Sequence, residues 1–137
     1  LCFYLKEIKC LLTGDHIMDG STVVIAPPDG NMTEYIDSLR LLENYDIDYF
    51  APGHGNFMQE PDKTIQSIIR HRFSRESKVL RCVEKQKNSN LDELLLLVYD
   101  DVPDVLHPIA KMSLLAHLIK LEEEGKLNNS KNNYSLS

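Results

Sequence analysis

The sequence predicts two parts in succession: an α/β layer over residues 1–72, then a mainly helical domain with a short β-ribbon over residues 73–137. Three observations predict this. Short apolar, β-branched runs alternate with a helical pattern as far as residue 55, as in an α/β layer. From Pro61 onward the pattern is helical almost throughout. Two short β-like pieces, Lys126-Leu127 and Tyr134-Ser135-Leu136, flank a polar turn at 128–133 near the end of the chain.

The elements follow in order. Cys2, Phe3, Tyr4 and Leu5 make a first strand, Lys6-Glu7 a turn, and residues 8–12 a second strand that ends at Thr13-Gly14-Asp15-His16. The run TVVIA at 22–26 is β-branched and bounded by Gly20 and Pro27, which predicts a buried strand. Pro27-Pro28-Asp29-Gly30 is a turn. A helix capped by Asn31 or Thr33 follows, with Tyr35, Ile36, Leu39, Leu42 and Tyr45 on one face. Residues 48–51 form a short strand stopped by Pro52-Gly53-His54-Gly55. Pro61 suits the first position of a helix that runs to about residue 87. Asn90 caps a helix over 91–99, and Pro108 opens another that Gly125 ends. Helix, helix, helix and ribbon is the order of a winged helix, with the domain boundary between residues 72 and 77.

Composition narrows the function. The 42% hydrophobic content is ordinary for a globular chain. A net charge of −6 argues against a dedicated nucleic-acid binder but leaves room for a local basic patch. The three cysteines, Cys2, Cys10 and Cys82, have no CxxC spacing and read as free thiols of a reducing compartment, which points to the cytoplasm. The longest apolar run, 94–99, is far short of the ~20 residues of a membrane span. Residue 1 is a leucine already inside a strand-like run, so the chain is expected to begin within a longer protein.

Two places combine a strand end, glycine and metal-capable side chains: residues 13–16 and residues 51–55. Ligand sites of α/β folds favour such strand ends. A carboxylate such as Asp15 can bridge two cations, and a neutral imidazole such as His54 is a good zinc ligand. Either motif alone is more often a turn or a loop. His16 either touches substrate or supports the site from behind.

Together the two motifs are specific. TGDHIMDGSTVVIAPPDGNMTEYIDSL at 13–39, followed by APGHG at 51–55, resembles the β-lactamase-like-2 family of the metallo-β-lactamase superfamily. The likeness extends from about residue 9 to about residue 127. It implies the C-terminal part of an αββα sandwich followed by a winged helix. By position, it makes Asp15 the bridging aspartate and His54 the last metal histidine of a two-zinc hydrolase. It further implies action on single-stranded RNA or on small esters and thioesters. The sequence departs from the family in lacking an HxHxDH motif and the histidine that should precede Asp15; its histidines are His16, His54, His71, His107 and His117. Zinc needs about four ligands, so this chain alone is expected to be inactive, with one face of its strands uncovered.

Residues 70–87 hold seven cations against Glu76 and Glu84, and Arg72, Arg75 and Lys78 are candidate phosphate contacts; the competing reading is a solvated helix face. In the third helix of the small domain, Lys111, His117 and Lys120 are the exposed candidates, but Glu122, Glu123 and Glu124 follow and no arginine is available, which argues against sequence-specific DNA binding. Ile109, Met112, Leu115, Leu118, Ile119 and Leu121 read as core. Two other functions remain open: a non-enzymatic winged-helix interaction module, and a glyoxalase-II-like thioesterase.

Overall fold

The computed structural model describes all 137 residues and forms two compact units: Leu1–Val23 with Ile36–Arg70, and Val24–Tyr35 with His71–Ser137. The first unit is built on a four-stranded sheet in the order β1-β2-β3-β4. Its strands are β1 (Phe3–Leu5), β2 (Cys10–Gly14), β3 (Tyr49–Pro52) and β4 (Met58–Gln59). β1 and β2 are antiparallel, β2 and β3 parallel, and β3 and β4 antiparallel. Parallel neighbours require a crossover. Here the crossover holds helix α1 (Met32–Leu42), whose Ile36 and Leu39 are buried along with Leu11, Ile17, Phe50 and Ile65 of the same unit.

The first strand pair differs from expectation in its turn. Lys6–Ile8 is a 3₁₀ turn, closed by Lys9 in the left-handed region, so Ile8 is exposed and the second strand starts only at Cys10. Residues 22–26 are a larger correction, because they form no strand. Only Ile25 is buried there, and Val24 is exposed. β-branched side chains favour a pleated surface but cannot supply the neighbouring strand that makes a ladder. Of the two candidate caps of α1, the structure selects Asn31, whose side chain accepts from the backbone N–H of Glu34 at 3.0 Å. Tyr45 lies beyond the helix and is exposed.

The second unit contains the rest of the long helix α2 (Pro61–Gln86), then β5 (Ser89–Asn90), α3 (Leu91–Val98), α4 (His107–Glu123), β6 (Leu127–Ser130) and β7 (Asn133–Leu136). The three strands pair in the order β5-β7-β6, so the ribbon gains a third strand that the sequence shows only as a polar break. Val79 and Val83 of α2, Leu94 and Val98 of α3, Leu114, Leu118 and Leu121 of α4, and Leu127 and Tyr134 of the ribbon share one core. Each such aliphatic side chain contributes roughly 1.5–3 kcal/mol on burial. Ile109 and Met112, expected in this core, are instead half exposed. Val24–Tyr35, predicted as part of the first domain, groups with this second unit, where the Arg72 guanidinium stacks 5.3 Å from the Tyr35 ring centroid.

Candidate metal centre

Parallel register builds the site. Cys10 pairs with Tyr49, Leu11 with Phe50 and Leu12 with Ala51, but Gly14 pairs with Pro52. Thr13 is therefore an extra residue on β2, a bulge that turns the strand end. Its hydroxyl is buried and donates to the carbonyl of Ile17 at 2.9 Å, and its own carbonyl accepts from the His16 N–H at 3.0 Å. Gly14 takes φ +54, a conformation that costs glycine little. The N–H of Gly53 then donates to the Gly14 carbonyl at 2.8 Å, which joins the two loops just past the strand ends.

Asp15 and His54 lie in these loops, and His54 Nε2 is 3.5 Å from Asp15 Oδ1. Both side chains are largely exposed, 74% for Asp15 and 79% for His54, so the pair opens to solvent. Two donors on one tetrahedral zinc, each about 2.0–2.1 Å from the ion, lie about 3.4 Å apart. The observed separation matches that bite, and a carboxylate oxygen with an imidazole nitrogen suits zinc in kind. The number falls short: no group of three or more His, Cys, Asp or Glu side chains in the structure is placed to hold a metal ion.

His16 is half-buried, and its Nε2 lies 3.0 Å from the Ser38 hydroxyl on α1. Burial holds its pKa below the ordinary histidine value. Asp19, which the sequence did not single out, accepts through Oδ2 from the backbone N–H of Asn56 at 3.1 Å and from its side-chain amide at 3.3 Å. Its only sequence signal is a carboxylate before Gly20, common to many turns.

The three proposed phosphate-contact cations have different placements. Arg72 is buried, which removes it from the reach of a phosphate in this conformation. Arg75 donates to the Val98 carbonyl at 2.6 Å and to both Asp101 carboxylate oxygens, at 2.8 and 3.1 Å, and its guanidinium covers the Tyr99 ring at 4.4 Å. Lys78 is bonded to Asp100. Arg75 and Lys78, with His71, Ser74, Arg81 and Asp101, line a shallow groove of about 180 Å³. Two of its seven cations are thus neutralised by aspartates and Arg72 is buried, while Arg70, Arg81, Lys85 and Lys87 are exposed.

On α4, His117 and Lys120 are not exposed, contrary to the expectation for a DNA-reading face; they are 0% and 5% accessible. Lys120 Nζ bonds Glu76 at 2.9–3.1 Å and Glu124 at 2.6 Å. Burial alone would lower the Lys120 pKa, but these two carboxylates hold it above the ordinary value. Burial likewise pushes Glu76 up, and His117 and Lys120 outweigh it and draw it down. His117 Nδ1 is 3.9 Å from Glu76, longer than a hydrogen bond, and burial lowers the pKa of its ring. Lys111, the remaining candidate, pairs with Asp92 at 2.5 Å.

Comparison with known proteins bears on the family and the fold. Residues 91–132 match the family described as "Beta-lactamase associated winged helix domain". The chain is 36% identical over 123 residues to a "Beta-lactamase-like protein 2 homolog" of Drosophila melanogaster, covering 88% of this chain and 41% of that protein. It therefore spans about two fifths of the length of that relative. Among solved structures, a β-lactamase domain protein from Burkholderia ambifaria superposes with a TM-score of 0.88 at 18% identity, over 99% of this chain and 44% of that one. A metallo-β-lactamase family protein from Thermus thermophilus gives 0.85 at 20% identity, again over 99% of this chain and 44% of that one. The winged-helix match, the fly relative and the shared fold together make this chain similar to the β-lactamase-like-2 proteins of the metallo-β-lactamase superfamily, with a β-lactamase-associated winged helix at residues 91–132.

Proposed function

We propose that this chain supplies Asp15 and His54 to the zinc centre of a hydrolase that cleaves phosphodiesters of single-stranded RNA, with small esters or thioesters as the competing substrate class. The observation that carries the reading is the 3.5 Å approach of His54 Nε2 to Asp15 Oδ1 at the carboxyl ends of two parallel strands. When bound, zinc supplies a Lewis acid that makes hydroxide available near neutral pH. Two donors leave about two more to come from residues other than those gathered here, so we expect the isolated chain to be inactive. To hold an ion through Nε2, which faces Asp15, His54 would carry its proton on Nδ1. Exposed Arg70, Arg81 and Lys85 of α2, with Lys87 just past its end, support the RNA reading, because successive cations suit a phosphate backbone.

The test is a zinc titration of the chain followed by NMR, beside Asp15→Ala and His54→Ala variants. The expected result is a weak response of the His54 ring that Asp15→Ala reduces, loss of the zinc-linked shifts of the Asp15 loop in His54→Ala, and little zinc retained after dialysis. A His54 ring that ignores zinc would sink the reading. RNA and thioester given to the full-length fly relative separate the substrate classes: cleavage of the thioester alone would replace the RNA assignment.

A further inference from the structure

His54 is largely exposed, so its place is set by the backbone on either side of it rather than by packing around the ring. On one side, Gly53 lies so close to the first loop that a β-carbon there would meet Asp15 Oδ1 at 3.2 Å and the Gly14 backbone at 3.3 Å. Its N–H is bonded to the Gly14 carbonyl. On the other side, Gly55 has φ +93, and a β-carbon there would fall 2.6 Å from the Asp19 β-carbon. The next residue, Asn56, gives both its backbone and its side-chain N–H to Asp19 Oδ2. The imidazole is thus carried between two anchors, and both belong to the loop that bears Asp15.

We propose that Asp19 is a positioning residue for the metal pair: by holding Asn56 and the close-packed Gly55, it fixes His54 at the distance from Asp15 that one ion can span. This rests on the reading of Asp15 and His54 as zinc ligands. Asp19 does not touch the ion. It acts as the partners behind metal ligands do, by removing the freedom that a lone exposed histidine would otherwise lose on binding. Its carboxylate accepts both bonds through one oxygen, so an asparagine can keep them through its side-chain oxygen while an alanine cannot.

The experiment titrates zinc into the unaltered chain and into Asp19→Ala, Asp19→Asn and Gly55→Ala, following the His54 ring by NMR and amide exchange at Asn56. Asp19→Ala should weaken the zinc response about tenfold, as loss of a partner behind a ligand does, and should expose the Asn56 amide. Gly55→Ala should weaken it as well, whereas Asp19→Asn should stay near the unaltered chain. Thermal unfolding of the alanine variant should be nearly unchanged, which separates positioning from a general loss of fold. An unaltered zinc response in Asp19→Ala would overturn this inference and leave the Asp15–His54 pairing standing. No zinc response in the unaltered chain would overturn both.

Discussion

Charged residues in this chain are judged by what they touch. Arg75 and Asp101 form a two-pronged pair, and the guanidinium holds the Asp101 carboxyl down at about 2, against an ordinary value of 3.8. A depressed acid stabilises the fold above its unfolded value and loses that contribution as pH falls through its folded value. The window here runs from about pH 4 down to pH 2. Because the Asp101 side chain is 57% exposed, solvent screening keeps the contribution within about 1 kcal/mol. Asp101→Ala should therefore lower the urea midpoint modestly at pH 6, and the gap from the unaltered chain should narrow steadily below pH 4. The sequence showed Arg72, Arg75 and Lys78 as cations, but not the aspartates, ring or core that engage them. Those partners, Asp101, Asp100 and Tyr35, lie 22–37 positions away along the chain.

Among the elements, the helices were legible because their evidence is local. Pro61 opens α2 and Asn90 caps α3, as their residue types predict. Asn90 forms a capping box: its side chain accepts from the Glu93 N–H at 3.0 Å, and the Glu93 carboxylate accepts from the Asn90 N–H at 3.0 Å. An eight-residue helix has little to spare at its ends. Asn90→Ala should cost about 1 kcal/mol, read as a shifted denaturant midpoint with an unchanged slope. Strands were less legible. Residues 22–26 had the composition without a partner, and β5 had a partner without the composition. On α4 apolar residues occur on all sides, so the pattern could not show that Ile109 and Met112 face out while His117 and Lys120 face in.

At the scale of the whole molecule, two features of the first unit meet. Its strand ends assemble Asp15 with His54, and its sheet leaves Phe3, Leu5 and Leu12 exposed, with Phe3 paired to Leu12 and so on the same face. β1 is also an outer strand, with one edge free to pair. Exposed apolar surface of this kind promotes association. Sedimentation velocity should show concentration-dependent self-association that a Phe3→Lys, Leu12→Lys double substitution reduces. The two site motifs stood out in the sequence because glycine precedes a carboxylate and an imidazole at the first strand end and flanks an imidazole on both sides at the second. Asp19 was not, because its partner lies 37 positions on.

The bulge at Thr13 also bears on how such chains can diverge. Asp15 and His54 are 39 positions apart, yet their meeting is decided by one strand register and one extra residue. The connection between them bears on that distance through Asp19, near its start, and not through its overall length. Insertions within the exposed residues 20–22 should therefore leave the pair in place, while deleting Thr13 would turn the carboxylate to the opposite face of the sheet. Length variation is open at an exposed turn of the interval and barred at the bulge.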